Sequence, residues 1–171
     1  MQYSSLKWPC RIGVISDTHI GDVWGGDTLI AALQKEQFHD VDLILHAGDM
    51  VDPEILSLFT TCPVLAVNGN MDPVASGLPM RRVIATGPFR LGLIHGWGSP
   101  RGLEQRLLRE FATENIDCLV YGHSHIPDCR RQDGRLLFNP GSPTDRRGAP
   151  FHSVGLLEVN DTIQGRIIAL D

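Results

Sequence analysis

Several features are scarce in this sequence, and each scarcity excludes a class of protein. The formal net charge is −5, so the chain lacks the broad basic face that holds nucleic acid, and no stable binding of nucleic acid is expected. No apolar run approaches the roughly 20 residues that span a membrane. The first ten residues, MQYSSLKWPC, contain no apolar core of a signal peptide. We therefore expect a cytoplasmic protein with no membrane partner.

Cysteine is also scarce, and its spacing carries no metal motif. The four cysteines are Cys10, Cys62, Cys118 and Cys129, and none form a C-x-x-C pair. This spacing indicates neither a zinc-thiolate site nor a disulfide framework. The remaining composition, 42% hydrophobic and 20% charged, is typical of a globular protein. A length of 171 residues predicts one domain over 1–171 with a substantial core.

Strands and helices alternate in the first half of the chain. Apolar, β-branched runs predict strands buried on both faces at 11–16, 41–47 and 63–68. A helix is predicted at 27–38, with Asp27 as its N-cap, and a short helix at 52–59. This β-α-β-α-β order predicts a parallel sheet with right-handed crossovers.

The second half mixes hairpins with one more strand–helix–strand unit. Strands are predicted at 81–87, 89–96, 116–122, 129–139 as a hairpin, and 153–171 as a second hairpin. The pair Asp133-Gly134 predicts the turn of the first of these hairpins. A helix is predicted at 99–115, capped by Ser99 and opened by Pro100. Together these elements predict a single α/β domain with both parallel and antiparallel strands.

A polar cluster follows each of five apolar runs. These clusters contain Asp17 and His19, then Asp49, then Asn70, then His95, and finally His123 and His125. In open α/β sheets, ligands bind beyond the carboxyl ends of the strands, so the clusters are expected to converge. Singly, each residue has an ordinary explanation: a cap or turn for Asp49, a turn for Asn70, a semi-buried histidine for His95. Their recurrence after five strands argues against coincidence.

The residue types in these clusters suit a metal. Imidazole, carboxylate and amide oxygen form a mixed ligand set for Mn, Fe, Zn, Co or Ni. Residues i and i+2 of an extended segment point the same way, about 6.5 Å apart, while paired metals lie about 3.5–4 Å apart. His123 and His125 are therefore predicted to bind one ion each. Asp17 and His19 have the same spacing, and spacing alone leaves their pairing open. His46 is expected to support the site.

Five motifs carry a resemblance to a known family. They are D-x-H at 17–19, G-D at 48–49, G-N at 69–70, H-G at 95–96 and G-H-x-H at 122–125. With these motifs the sequence resembles the calcineurin-like metallophosphoesterases, above all their small single-domain phosphodiesterase branch, and N-P-G-S at 139–142 is similar to that branch. The resemblance implies a metallo-dependent phosphatase-like fold: a four-layer α-β-β-α sandwich of two mixed sheets flanked by helices, with the site on the rim of the sheets.

The resemblance also implies two divalent metal ions, with manganese favoured and Fe, Ni, Co or Zn as alternatives. No organic cofactor is implied. The implied ligands are Asp17, His19 and His125 for the first ion, Asn70, His95 and His123 for the second, and Asp49 as a bridge between them. Of these, Asp49, Asn70 and His95 are expected to take part directly in catalysis.

The implied activity is that of a phosphoric ester hydrolase with a binuclear metal centre. In such a phosphodiesterase, a hydroxide shared by two ions attacks phosphorus in line. The partner is then a small phosphorylated substrate. A phosphomonoesterase of the same fold and a Vps29-like, non-catalytic protein-binding scaffold are the alternatives, and a homo-oligomer stays open. Since every ligand position is filled, the enzyme is favoured.

One motif departs from the wider superfamily. Many members carry G-N-H-E, whose histidine protonates the leaving group, whereas this chain has Met71 and Asp72 at the last two positions. A thioether cannot donate a proton. Two roles stay open for Asp72, proton donor or pin for the loop. Trp24 and Trp97 lie in loops beside the clusters and are expected to pack in the core or rim rather than stack on a base or sugar.

Overall fold

Eleven strands form two mixed sheets in a computed structural model that describes residues 2–170. The six-stranded sheet has the order β1 (Gln2–Leu6), β5 (Arg81–Thr86), β6 (Phe89–Ile94), β7 (Cys118–Val120), β9 (Arg135–Asn139), β8 (Asp128–Gln132). The five-stranded sheet has the order β11 (Ile163–Ala169), β10 (Ser153–Val159), β2 (Cys10–Ile15), β3 (Leu43–His46), β4 (Val64–Ala66).

The strand pairing combines parallel and antiparallel neighbours in each sheet. Strands β2, β3 and β4 are parallel, as the alternating first half predicted, and so are β6, β7 and β9. The predicted hairpin turn at Asp133 and Gly134 has left-handed φ values of 49° and 79° and joins β8 to β9. Strand β1 was not predicted. Its sequence, QYSSL, lacks an apolar pattern, and it pairs in parallel with β5.

The first helix begins earlier than predicted. Helix α1 covers Val23–Glu36, and its N-cap is Asp22, whose Oδ1 accepts a hydrogen bond from Gly25 N at 2.8 Å. The prediction of Asp27 as N-cap was therefore wrong. Asp22 satisfies a free amide of the first turn, which allows the helix to begin with an N-cap five residues earlier than the predicted one. Ile30 and Leu33 of this stripe are buried.

The second helix is shorter than predicted. Helix α2 covers Leu103–Glu110, and its N-cap is Gly102 in the left-handed region at φ 69°. Ser99 instead accepts a hydrogen bond from Arg101 N at 3.2 Å within a turn, so its assignment as N-cap was wrong. A 3₁₀ helix at Pro53–Leu58 has Asp52 as N-cap, and another covers Val74–Ser76.

The layers confirm the predicted four-layer α-β-β-α sandwich. One apolar core lies between the two sheets and includes Val14, Leu93 and Phe138. A second core packs α1 on the five-stranded sheet, and a third packs α2 on the six-stranded sheet. Within residues 2–170, no helix has both the length and the apolar character needed to cross a membrane.

Candidate metal centre

The predicted site residues lie in loops at the carboxyl ends of strands from both sheets. Strands β2, β3 and β4 lead into the loops of Asp17, Asp49 and Asn70, while β6 and β7 lead into those of His95 and His123. Because these strands are parallel within each sheet, their carboxyl ends share one rim. The backbone of His123 donates to Asp17 Oδ2 at 3.0 Å, which joins the two sheets across the site.

The first group contains Asp17, His19 and His125. His125 Nε2 lies 3.1 Å from His19 Nε2 and 3.3 Å from Asp17 Oδ1. The three side chains each offer one ligand atom within 4.8 Å of the others. Asp17 and His125 are completely buried. This is the same trio that the resemblance implied for the first ion.

The second group contains Asp49 and His95, and it shares Asp17 with the first. His95 Nε2 lies 3.2 Å from Asp49 Oδ2 and 3.9 Å from Asp17 Oδ1. Asp49 Oδ2 is in turn 4.0 Å from His19 Nε2. Asp49 thus lies between the histidines of both sets, as its implied bridging position requires. Asp17 also reaches both groups, which the sequence reasoning did not anticipate.

Asn70 and His123 form the outer part of the cluster. Asn70 Oδ1 lies 3.0 Å from His123 Nδ1, and the His123 ring meets the His95 ring edge-on with centroids 5.4 Å apart. His123 belongs to neither of the two compact groups of carboxylates and histidines, and Asn70 is exposed. The structure therefore brings all seven predicted side chains to one place, with the first set assembled more tightly than the second.

Backbone carbonyls fix the tautomers of three histidines. A carbonyl only accepts hydrogen bonds, so His95 Nδ1–H donates to Ala47 O at 2.7 Å and His123 Nε2–H donates to Gly98 O at 2.8 Å. His125 Nδ1–H donates to Asp145 O in the same way. The other ring nitrogen of each histidine is thereby directed at the cluster, an arrangement typical of metal-binding imidazoles.

One buried nitrogen tests whether a cation fits. His95 Nε2 is buried and makes no hydrogen bond, although Asp49 Oδ2 lies 3.2 Å away. A buried polar atom without a partner is costly unless a ligand satisfies it. The set of carboxylates and inward-facing imidazoles around it matches the donors that borderline divalent metals prefer. These residues fit such an ion.

The carboxylates and histidines of the cluster shift each other's pKa values towards the charged forms. Burial alone raises the pKa of Asp17, but its hydrogen bond with His125 and the nearby His95 lower the net pKa below its usual value. Burial similarly opposes ionisation of Asp49, and His95 again outweighs it, so the Asp49 pKa is lowered. For His95, burial lowers the pKa but the two carboxylates raise it overall. A bound cation would replace the imidazole protons in holding these carboxylates ionised.

Five of the seven predicted ligands have left-handed backbone conformations. They are Asp17 (φ 54°), His19 (46°), Asp49 (56°), His123 (70°) and His125 (60°). The prediction that His123 and His125, like Asp17 and His19, lie in extended segments was therefore wrong, since neither pair is extended. Their side chains are aimed by tight turns. Left-handed residues other than glycine cost about 1–3 kcal/mol each and concentrate at functional sites.

Two glycines permit these turns to approach each other closely. A Cβ on Gly69 would lie closer than 3.0 Å to the Asp49 backbone nitrogen and carboxylate. A Cβ on Gly122 would meet the side chains of Ser16 and Asp17 at similarly forbidden distances. Glycine is therefore required beside both carboxylates because of space rather than φ.

Asp72 holds the loop of Asp49 in place. Its Oδ1 accepts hydrogen bonds from Met50 N at 2.7 Å and Val51 N at 2.8 Å. Its Oδ2 accepts from Asp49 N at 3.0 Å and Gly69 N at 2.7 Å. Four backbone amides thus occupy a carboxylate that is 7% exposed. Of the two roles left open by the sequence, this geometry supports the pin.

His46 and the N-P-G-S segment support the same loops. His46 Nδ1 accepts from Gly48 N at 3.2 Å, and its Nε2 contacts Thr18 Oγ1 at 3.2 Å, which agrees with the supporting role expected of it. Asn139 Nδ2 donates to Gly122 O at 3.0 Å, and Ser142 Oγ donates to Asp17 O at 2.7 Å. The family resemblance included N-P-G-S but did not imply this role for it.

The two candidate tryptophans differ from expectation. Trp24 is 90% exposed and Trp97 is 43% exposed, so the prediction that they pack in the core or rim was wrong for Trp24. Trp97 lines a cavity beside Asn70 and His95. Only Trp97 therefore has the position that stacking near the site requires.

The chain belongs to the calcineurin-like phosphoesterase superfamily, whose domain model matches residues 10–162. Its relatives include a probable metallophosphoesterase of Methanothermobacter thermautotrophicus, 45% identical over 78% of this chain and 77% of the relative. A probable metallophosphoesterase of Methanocaldococcus jannaschii is 42% identical over 94% of this chain and 81% of the relative.

Solved structures share the fold. A predicted phosphoesterase of Streptococcus pneumoniae has a TM-score of 0.77 at 26% identity, covering 94% of this chain and 89% of its own. An archaeal phosphodiesterase has a TM-score of 0.72 at 21% identity, with coverage of 94% and 99%. Vps29 from Entamoeba histolytica, in complex with Zn²⁺, has a TM-score of 0.68 at 23% identity, also with coverage of 94% and 99%.

Proposed function

We propose that the protein is a metal-dependent phosphodiesterase with a binuclear metal centre. The observation that carries this proposal is the convergence of all seven motif side chains, with three histidine tautomers fixed by backbone carbonyls. Membership of a phosphoesterase superfamily supplies the reaction class, hydrolysis of a phosphate ester.

Each predicted residue has a defined part in this proposal. Asp17, His19 and His125 would hold one divalent ion, Asn70, His95 and His123 the other, and Asp49 would bind both. Bound divalent ions supply Lewis acidity, which lowers the pKa of coordinated water and offsets charge on the phosphate. The chain's own contribution is orientation: Asp72 positions Asp49, and Ala47 O directs His95 Nε2 inward. Manganese is the first metal to test.

Activation of the leaving group is the distinctive part. Met71 is 54% exposed, and its backbone N donates to Asp49 Oδ1 at 2.7 Å. Its thioether has no proton to give, and the Asp72 carboxylate is occupied by four amides. Neither residue assists departure of an alkoxide. We infer that the enzyme prefers esters whose leaving group is already a weak base.

The alternatives make different use of the same fold. A phosphomonoesterase would use the same seven residues on a substrate with a free phosphate end. A protein-binding scaffold would not need tautomers fixed towards a common point, nor a buried His95 Nε2 that makes no hydrogen bond. The likeness to Vps29 lies in the fold alone, at 23% identity. The complete ligand set therefore favours the enzyme.

A panel of metals and substrates tests this function. The metal-free protein would be reconstituted with Mn²⁺, Co²⁺, Ni²⁺, Zn²⁺ or Fe²⁺ and assayed on bis(p-nitrophenyl) phosphate and p-nitrophenyl phosphate. We expect turnover of the diester with at least one metal and a bound stoichiometry near two. Preference for the monoester would identify a phosphomonoesterase. No bound metal and no turnover of either ester would support the scaffold.

A further inference from the structure

A cavity of about 420 Å³ opens beside two of the predicted ligands. Asn70 and His95 form part of its wall, and Met80, Ile94 and Trp97 provide apolar surface. The volume lies within the range of small-molecule sites, about 300–1,000 Å³. We call this cavity the Trp97 pocket. It is continuous with the metal cluster, so a molecule held there would touch the predicted reaction centre.

Two of the three apolar side chains of this pocket are exposed. Met80 is 65% exposed and Trp97 is 43% exposed, although both stand next to a polar, charged cluster. Large apolar groups gathered at a concave surface commonly mark a binding site. Arg81 and Glu110 also lie in the wall, but Arg81 is paired with Glu114 at 3.6 Å and stacks over the Phe111 ring. The free surface of the pocket is therefore chiefly apolar.

Hydrogen bonds from α2 and from His123 hold the backbone around Trp97. Arg106 of α2 donates from Nη2 to Trp97 O at 2.9 Å and from Nη1 to Arg101 O at 3.0 Å. His123 Nε2 donates to the next carbonyl, Gly98 O, at 2.8 Å. The backbone of Trp97 is thus fixed both to a helix and to a predicted metal ligand. A backbone held in this way needs little ordering when a ligand arrives.

We propose that the Trp97 pocket binds an aromatic ester substituent of the substrate, with its ring against the Trp97 indole. This inference rests on the proposed phosphodiesterase function and adds its substrate class: phosphate esters that carry a flat ring, such as an aryl group or a nucleobase. Indole offers a broad, rigid face for stacking, and the neighbouring ligands place the phosphate at the mouth of the pocket. Trp24, which is 90% exposed in the first turn of α1, and Trp8, which is 46% exposed, both lie outside this wall.

Calorimetric binding of two phosphonates to the Mn²⁺-loaded protein tests the pocket. Methylphosphonate and phenylphosphonate have the same type of anionic head, and only the second has a ring. We expect phenylphosphonate to bind about tenfold more tightly, the effect of about 1.4 kcal/mol of ring contact. The Trp97→Ala variant should reduce this ratio to near one, and Trp97→Phe, which keeps a ring, should largely restore it. Trp24→Ala is the matched control and should keep the full ratio.

The outcomes separate the two proposals. A wild-type ratio below about two, or a full ratio in folded Trp97→Ala, would overturn the pocket assignment while turnover of bis(p-nitrophenyl) phosphate keeps the proposed function. Loss of the ratio in Trp24→Ala would show that the ring does not depend on Trp97 alone and would also overturn the pocket assignment. Absence of metal binding, with neither phosphonate bound, would overturn the phosphodiesterase proposal and the pocket with it.

Discussion

The side chains of Asp49 and His123 have no part in the apolar cores, so their replacement tests chemistry rather than folding. We expect Asp49→Asn or His123→Ala to reduce turnover about 100-fold or more, because each removes a group that would hold the cations. The measurement is kcat on an activated diester together with circular dichroism. Matched controls are Asp27→Asn and His39→Ala, both exposed and remote from the cluster. A folded Asp49→Asn with most of its activity would contradict the ligand assignment.

Asp72 contributes to stability through its four backbone partners. In Asp72→Asn, an amide NH₂ would face backbone N–H groups, and the charge that strengthens the remaining hydrogen bonds would be lost. We expect the free energy of unfolding to fall by about 3 kcal/mol. Urea denaturation would measure this, with Asp27→Asn changing it by less than about 0.5 kcal/mol. A change of similar size in both variants would remove Asp72 from its pinning role.

The thioether of Met71 should be evident in how kcat/KM depends on the leaving group. Without a side-chain acid, kcat/KM should fall steeply as the leaving group becomes more basic. A series of aryl diesters of graded phenol pKa would measure the slope, and Met71→His should flatten it by assisting the poorer leaving groups. Asp72→Asn should leave the slope unchanged in whatever activity it retains. A flat slope in the wild type, with chemistry rate-limiting, would show that another group delivers the proton.

The site was more predictable in its members than in its geometry. The motifs name all seven residues because carboxylate, imidazole and amide after five strands have few other joint uses. Their left-handed backbone conformations could not be predicted. Asp and His adopt both extended and left-handed conformations, and only the folded turns select between them. The choice between the two roles left open for Asp72, and the role of Asn139, could not be predicted for a related reason. Their partners are backbone amides and carbonyls, which leave no trace in a sequence.

At the scale of elements, boundaries proved less predictable than identities. Strands and both helices were found, but α1 begins at Asp22 and α2 follows Gly102, because local capping geometry decided between several plausible starts. Strand β1 forms because it pairs with β5, and its own sequence has no apolar pattern that predicts a strand. Such pairing depends on residues some 80 positions away along the chain, which no local signal reports.

His46, at the end of β3, links that strand to two site loops and should make stability depend on pH. Complete burial lowers its pKa from 6.5 to about 4. The unfolded chain therefore binds a proton that the folded protein does not, so stability is full above about pH 6.5 and declines as pH falls towards 4. From pH 7 to pH 5 the loss attributable to His46 is about 2 kcal/mol. Urea titrations of wild type and His46→Asn would show it as a smaller pH dependence in the variant.

At the scale of the molecule, the predicted metals would join the two sheets. Their ligands come from loops of both, so an ion bound to the folded state alone should stabilise the whole chain. At one hundred times the dissociation constant the gain is about 2.7 kcal/mol, or about 5–10 °C in Tm for a protein of this size. Differential scanning calorimetry with Mn²⁺ should show this shift in the wild type and in Asp27→Asn. An equal shift in Asp49→Asn would place the binding elsewhere.

The separation of the seven site residues from the three apolar cores has a consequence for the evolution of the fold. Residues that keep the chain folded and residues that would perform chemistry are different sets, so mutation can alter one without erasing the other. A descendant could lose a histidine from the rim, keep the folded sandwich and acquire a different function. A protein that shares this fold therefore need not share its reaction. The function of each relative has to be inferred from the side chains that it keeps at the rim of the sheets.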